Sequence, residues 1–404
     1  MKRAFFLLGV SVALWTGSAS AALVLEDKDK GVAINVGALI QPWFQMTTPA
    51  SDGAGPGACG TATRPRCSPG IGNPEGDGPS WDLFLRRARL MLWGTITKDL
   101  AYFIETDEPN LGKGGNFATT TFIQDAFFTY TFVPQFKIDA GLMLVPLSHH
   151  TIEGATSLNA LDYHADTIRF PVGRIFRDVG VQFRGLLLDD HLHYRLGVFE
   201  GVRNSAVPPP AAPPPAPRPP LNENGLPRVT AQLRGNLLGS EPDFFLKGIY
   251  FSPTPIVTVG VGADYQRHAV YKLDGTRGDY FAFSADVFAE YPFSADDELI
   301  FKANFFNYAE GTSTIGGSNL PAGGISYYAE AGFRHAWIEP VVFYEGVKAR
   351  EDSLTIIAPH AGINFWAMKH NFNVKTDVGY REARREGLPP TKDLLWTTQG
   401  QVFF

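Results

Sequence analysis

The chain has 404 residues, of which 44% are hydrophobic, 13% aromatic and only 19% charged, with a formal net charge of -6. Its mean hydropathy is -0.07. That average excludes a bundle of apolar membrane helices, and the hydrophobic content excludes disorder for most of the chain.

At the start, Lys2 and Arg3 precede an apolar run from Ala4 to Trp15 that is too short to span a bilayer. Ala19, Ser20 and Ala21 then offer a small-residue cleavage site. This pattern predicts a secretory signal peptide over 1–21, leaving 22–404 as one domain. The only cysteines, Cys59 and Cys67, lie close together in a stretch rich in Gly and Pro. In an exported chain they predict a short-loop disulfide, worth at most about 3 kcal/mol.

From residue 31 onward the hydrophobic pattern has a period of two. Val32, Ile34, Val36, Ala38 and Ile40 alternate with Ala33, Asn35, Gly37, Leu39 and Gln41. Further on, Leu192, Tyr194, Leu196 and Val198 alternate with His193, Arg195, Gly197 and Phe199. Such alternation places one apolar and one polar face on each strand. Sixteen strands are expected, over 31–46, 81–96, 100–108, 120–131, 136–146, 178–188, 192–201, 229–238, 256–268, 279–291, 297–308, 325–333, 336–347, 354–365, 370–380 and 394–404.

Alternation alone does not separate a soluble sandwich from a membrane barrel. Length and connections do. Most of these strands run ten residues or more, whereas sandwich strands average about five or six and a tilted membrane strand needs about nine to eleven. Tight turns at 97–99, 133–135 and 189–191 alternate with long connections such as 47–80, 147–177 and 202–228. Outer-membrane barrels alternate periplasmic turns and outer loops in this way. Two connections fit poorly: 239–255 is long for a turn and holds a strand-like Phe244 to Phe251, and 348–353 is short for an outer loop. The last strand carries Leu394, Trp396, Val402 and Phe404 on one face and Thr397, Gln399 and Gln401 on the other. Pairing it with the first strand would leave no open edge. The fold expected is therefore all-β, a transmembrane antiparallel barrel of about sixteen strands, in the outer membrane of a Gram-negative bacterium and bounded by its lipid. The Pro-rich stretch from Val207 to Pro220, within 202–228, reads as an outer-loop insertion.

Within 83–201 lie Leu85-Arg86-Arg87-Ala88-Arg89-Leu90, Gly141 to Pro146 and Ser148, Arg177-Asp178-Val179-Gly180-Val181-Gln182, and Gly197 to Gly201. Their order and spacing resemble the phosphate-selective porin O and P family. The resemblance implies a sixteen-stranded porin, usually a trimer, whose third long loop folds into the lumen. Here that loop is 147–177, with His149, His150, Glu153, Asp162, His164, Asp166, Arg169, Arg174 and Arg177. The phosphate-selective members line their constriction with basic residues. This sequence departs from them by mixing carboxylates with its arginines.

The function expected is passive diffusion of small hydrophilic solutes or ions, including anions such as phosphate. The expected pore-lining residues are Arg87, Arg89, Arg169, Arg174, Arg177, Arg184, Arg195, Arg234, Asp286 and Glu290. Asp264, Glu330 and Glu339 are placed on the same inner face. Segregation of basic residues on early strands and acids on later ones predicts a transverse field across the lumen. Arg86 could instead anchor at the interface by snorkelling. Two other classes compete: a barrel acting as surface adhesin or receptor, and an exported β-sandwich that binds carbohydrate. His149 and His150 suggest a metal, but no cysteine lies near and no helical ligand spacing supports one. Ser148 beside His149 forms no triad in sequence. No enzyme activity, cofactor, metal or nucleic-acid partner is expected.

Overall fold

Strands form where the period of two runs unbroken. This computed structural model describes residues 23–27, 31–49, 79–168, 176–202, 221–272, 276–309, 323–350 and 353–404. The predicted signal peptide, Cys59 and Cys67, Arg169, Arg174 and the Pro-rich stretch 207–220 lie outside them. The described strands are β1 (Leu23–Asp27), β2 (Val32–Pro49), β3 (Ser80–Thr97), β4 (Leu100–Asp107), β5 (Phe122–Val133), β6 (Phe136–Leu144), β7 (Arg177–Leu187), β8 (Leu192–Phe199) and β9 (Arg228–Leu238). They continue as β10 (Ile256–Tyr271), β11 (Arg277–Pro292), β12 (Asp297–Tyr308), β13 (Gly324–His335), β14 (Ile338–Ala349), β15 (Thr355–Phe365), β16 (Phe372–Arg385) and β17 (Leu388–Phe403). The sixteen expected strands correspond to β2 through β17. The five-residue β1 is an addition the sequence did not suggest.

Each of β2 to β17 pairs antiparallel with its neighbours in sequence, and β17 closes on β2. A barrel of sixteen strands results. Phe404 completes the seal: its N–H donates to the Ala38 carbonyl and its carbonyl accepts from the Ala38 N–H, at 3.1 and 2.8 Å. β1 pairs with the start of β2, Leu23 opposite Val36.

The distribution of side chains is inside-out. Leu90 is 65% exposed and Val342 55%, while Arg195 and Lys302 are 1% exposed. A soluble sandwich would bury the first pair and expose the second. An apolar band facing outward and charges facing inward are what lipid demands of a barrel.

The interior is crossed by two segments. Residues 145–168 leave β6 and fold inward from the loop side. Residues 239–255 leave β9 and fold inward from the turn side, instead of forming the extra strand their sequence suggested. They join inside the barrel. Gly154 N–H donates to the Leu246 carbonyl and Leu246 N–H to the Ile152 carbonyl, both at 3.0 Å, and Gly248 N–H donates to the Ser157 carbonyl at 2.9 Å. Apolar side chains then pack between segment and wall. Leu147, Ile152 and Leu246 meet Val270 and Phe306, and Phe244 and Phe245 meet Phe127 and Phe199. Gly262 permits the closest approach: a Cβ there would stand 1.8 Å from the Leu147 carbonyl oxygen.

Candidate functional site

The inner wall of the barrel is the candidate site. Arg87 is buried and reaches inward, with Nη2 2.5 Å from Asp162 on the inner loop and Nη1 donating to Gln41. A bulge opposite Gln41 and Pro42 turns Arg86 inward as well, and its Nε bonds Asp162 at 2.9 Å. Arg86 is therefore a tether for the loop and not the interfacial anchor considered above. Arg89 binds Glu105 at 2.8 Å and Asp107 at 2.9 Å. Arg177 opens β7 and binds Asp125 at 2.9 Å. Arg234 binds Asp286, and Glu241 at 3.0 Å. Glu290 accepts N–H bonds from Tyr250 and Ser252, at 2.5 and 2.6 Å, which fixes the turn-side segment.

Opposed charged walls are not what forms. Glu105, Asp107, Asp125 and Asp139 stand on the early wall beside its arginines, and Asp264, Asp286 and Glu330 face Arg228, Arg234 and Lys302. Most inner charges are matched within one hydrogen bond. The alternation on β4, β5 and β6 put these acids inward, and a reading centred on arginines passed over them.

The inner loop hangs on such pairs. His149 lies 2.8 Å from both Glu153 and Glu241, and its ring stacks on Phe288. Lys302 reaches Glu153 at 3.1 Å and Glu330 at 3.3 Å. His164 stands between Glu330 at 3.0 Å and Glu345 at 3.3 Å. Two carboxylates on one imidazole require N–H on both ring nitrogens, hence an imidazolium. Burial opposes the His164 charge, but its bonds to Glu330 and Glu345 prevail and lift it to about 9. Burial also raises the Glu153 carboxyl, yet Lys302 and the histidines hold it well below its usual range. His150, by contrast, is pushed down to about 4 by burial, against the pull of Glu153. Across the barrel, Lys375 donates to the carbonyls of Leu158, Asn159 and Ala160, and Arg381 binds Asp166 at 2.8 Å. The histidines and acids that suggested a metal are thus engaged in holding the loop.

One region lacks this balance. Lys137 of β6, Arg184 of β7 and Arg195 of β8 are direct cross-strand partners, so three cations form one row. Among the described residues, Asp139 is the only carboxylate paired with the row, at 2.8 Å from Arg184. Like charges directly opposite one another disfavour a sheet. Arg195 Nη2 donates to the carbonyls of Asp243 and Phe244 at 2.9 Å, while its buried Nε and Nη1 have no hydrogen-bond partner among the described residues. Arg184 and Arg195 both lie over the Phe244 ring, at 5.3 and 5.5 Å.

The family model described as phosphate-selective porin O and P matches residues 73–225. Over that stretch the chain is similar to this family, and its barrel is that of an outer-membrane porin. The porin is a channel and not an enzyme, and it resides in the outer membrane of a Gram-negative bacterium. Solved structures agree on the fold. The porin is 12% identical to the outer membrane channel DcaP of Acinetobacter baumannii, with a TM-score of 0.55 over 94% of this chain and 99% of that one. It is 14% identical to OmpF of Salmonella typhi, with a TM-score of 0.56 over 94% and 100%. It is 8% identical to the anion-selective porin of Comamonas acidovorans, with a TM-score of 0.52 over 92% and 100%. No curated protein matches the sequence.

Proposed function

We propose that this porin passes small hydrophilic solutes and favours anions. The observation that carries the reading is the cross-strand row of Lys137, Arg184 and Arg195, with its single paired carboxylate. An excess of positive charge on a low-dielectric wall raises the local concentration of anions and lowers that of cations. The sheet retains this row although it disfavours pairing, whereas Arg87, Arg89, Arg177, Arg228, Arg234 and Lys302 each have a carboxylate partner. Arg87, Arg234, Asp286 and Glu290 have a different part: they hold the two inward segments and so set the width of the path, while Arg89 and Arg177 pair with wall carboxylates on β4 and β5. Arg169 and Arg174 are retained as pore-lining candidates on the same loop. The overall charge of -6 does not oppose this, because selectivity follows the charges nearest the path and not the sum. The homotrimer implied by the family is part of the proposal. A family name that mentions phosphate makes inorganic phosphate the first anion to try.

Single-channel recording in a planar bilayer tests the reading. Under a potassium chloride gradient the reversal potential should lie on the chloride side, and phosphate should carry or block current. A cation-selective channel would overturn the reading. Cross-linking in mild detergent should give a trimer band.

A further inference from the structure

The interior of a membrane barrel is polar as a rule. Here one row across the inner face is aromatic. Trp93 of β3, Phe103 of β4, Phe127 of β5 and Phe199 of β8 share that row through direct cross-strand pairing, with Gly141 of β6 and Gly180 of β7 between the last two. The turn-side segment adds two rings. Phe244 stacks on Phe127 with centroids 4.3 Å apart, and Phe245 lies 5.0 Å from Phe103. Phe127 and Phe199 are buried, and packing of the segment accounts for them. Phe103, Phe244 and Phe245 keep part of their surface open. Packing alone gives no reason to leave aromatic surface wet inside a polar lumen.

The patch borders the cationic row. Lys137 lies on the same inner face of β6 as Gly141, about 13 Å along the strand. Phe244 bridges that distance, because Arg184 and Arg195 lie over its ring at 5.3 and 5.5 Å. Lys137 is only partly buried and forms no ion pair among the described residues. Arg195 is 1% exposed, and its Nε and Nη1 have no partner among the described residues. Asp243, the acid next to Phe244, is paired with Lys247 at 3.5 Å.

We propose that the solute class this site favours is the small aromatic carboxylate, a benzoate-like anion. The proposal rests on the anion reading above and narrows it. The ring lies on Phe244 and Phe245 with Phe103 at its flank, and the carboxylate meets Lys137 and Arg184. Stacked rings add attraction beyond buried area, and a guanidinium or ammonium meets a carboxylate by charge-assisted hydrogen bonds. An anion without a ring gains the second contribution alone.

The test uses the full refolded chain in a planar bilayer, with benzoate, acetate and cyclohexanecarboxylate added as blockers of the chloride current. Benzoate should half-block the wild type at about tenfold lower concentration than acetate, with cyclohexanecarboxylate between them. Phe244→Leu or Phe245→Leu should cut the benzoate-to-acetate preference about threefold or more. Lys137→Gln should weaken both anions together and keep their ratio, which separates the ring contact from the charge. Heat-modifiable gel mobility confirms that each variant is folded. Equal block by benzoate and acetate in an anion-selective wild type would overturn this proposal and leave the anion reading standing. Equal block by benzoate and cyclohexanecarboxylate, or an unchanged preference in both folded leucine variants, would also overturn it. A cation-selective reversal potential in potassium chloride would overturn the anion reading itself, and this proposal with it.

Discussion

The wall of β6 to β8 and the wall of β11 to β14 differ in how they use charge. Against the second, Lys302 and the inner-loop His149 and His164 are surrounded by Glu153, Glu241, Glu330 and Glu345, and each of the three has a carboxylate within 3.3 Å. On the first, the row of Lys137, Arg184 and Arg195 has among the described residues one paired carboxylate, Asp139 at Arg184. Balanced charge holds a segment in place, because removing either partner leaves a buried ion without compensation. Unbalanced charge projects a field that a passing ion feels. On the proposed reading, one barrel contains an anchor and a filter built from the same residue types.

The largest effect should come from breaking the anchor at its centre. Glu153 is shared by His149, His150 and Lys302. Glu153→Gln leaves a buried lysine and an imidazolium short of one charge, at a cost of about 3 to 5 kcal/mol. The loop should come off the wall, and single-channel conductance should rise severalfold while gel mobility still reports a folded barrel. Unchanged conductance would mean that the loop is held by its other contacts alone.

A smaller effect should follow from pH. The folded His164 lies at about 9, above its ordinary value of 6.5. Its contribution to stability is therefore complete below the unfolded value and is lost as pH rises through about 9. Between pH 7 and pH 10 the loop should become more accessible to protease and conductance should rise, with His164→Gln abolishing the change. A barrel whose conductance is flat across that range would remove His164 from the anchor.

The smallest effect sharpens the filter instead. Asp139→Asn removes the carboxylate nearest the row, and the anion-to-cation permeability ratio should increase by about twofold. The same substitution at a matched pair away from the row, Asp166→Asn opposite Arg381 of β16, should raise the ratio less. A matching rise there would show that any added positive charge suffices.

Much of this was readable in the sequence. Strands β2 to β17 follow the period-two pattern, and Gln399 and Gln401 point inward where alternation put them, with Trp396 and Val402 outward. Parity also placed Arg184, Arg195 and Arg234 on the buried face. What parity does not carry is who meets whom across the lumen. Glu241 lies in a turn whose apolar Phe244 to Phe251 looked like a strand, and only the closed barrel shows that those side chains pack against Phe127 and Phe288 from within. Lys137 pairs with Arg184 through register, which depends on the β6–β7 connection and not on either strand alone. The expected opposition of basic and acidic walls failed for the same reason: residues distant in sequence become hydrogen-bonded neighbours once the sheet closes.

The most direct measurement is the zero-current potential of a planar bilayer holding wild type or Arg184→Glu with Arg195→Glu, under one potassium chloride gradient. The filter account predicts an anion-selective wild type and a variant shifted toward cations. A wild type without anion preference, or a variant with the wild-type potential, would contradict it.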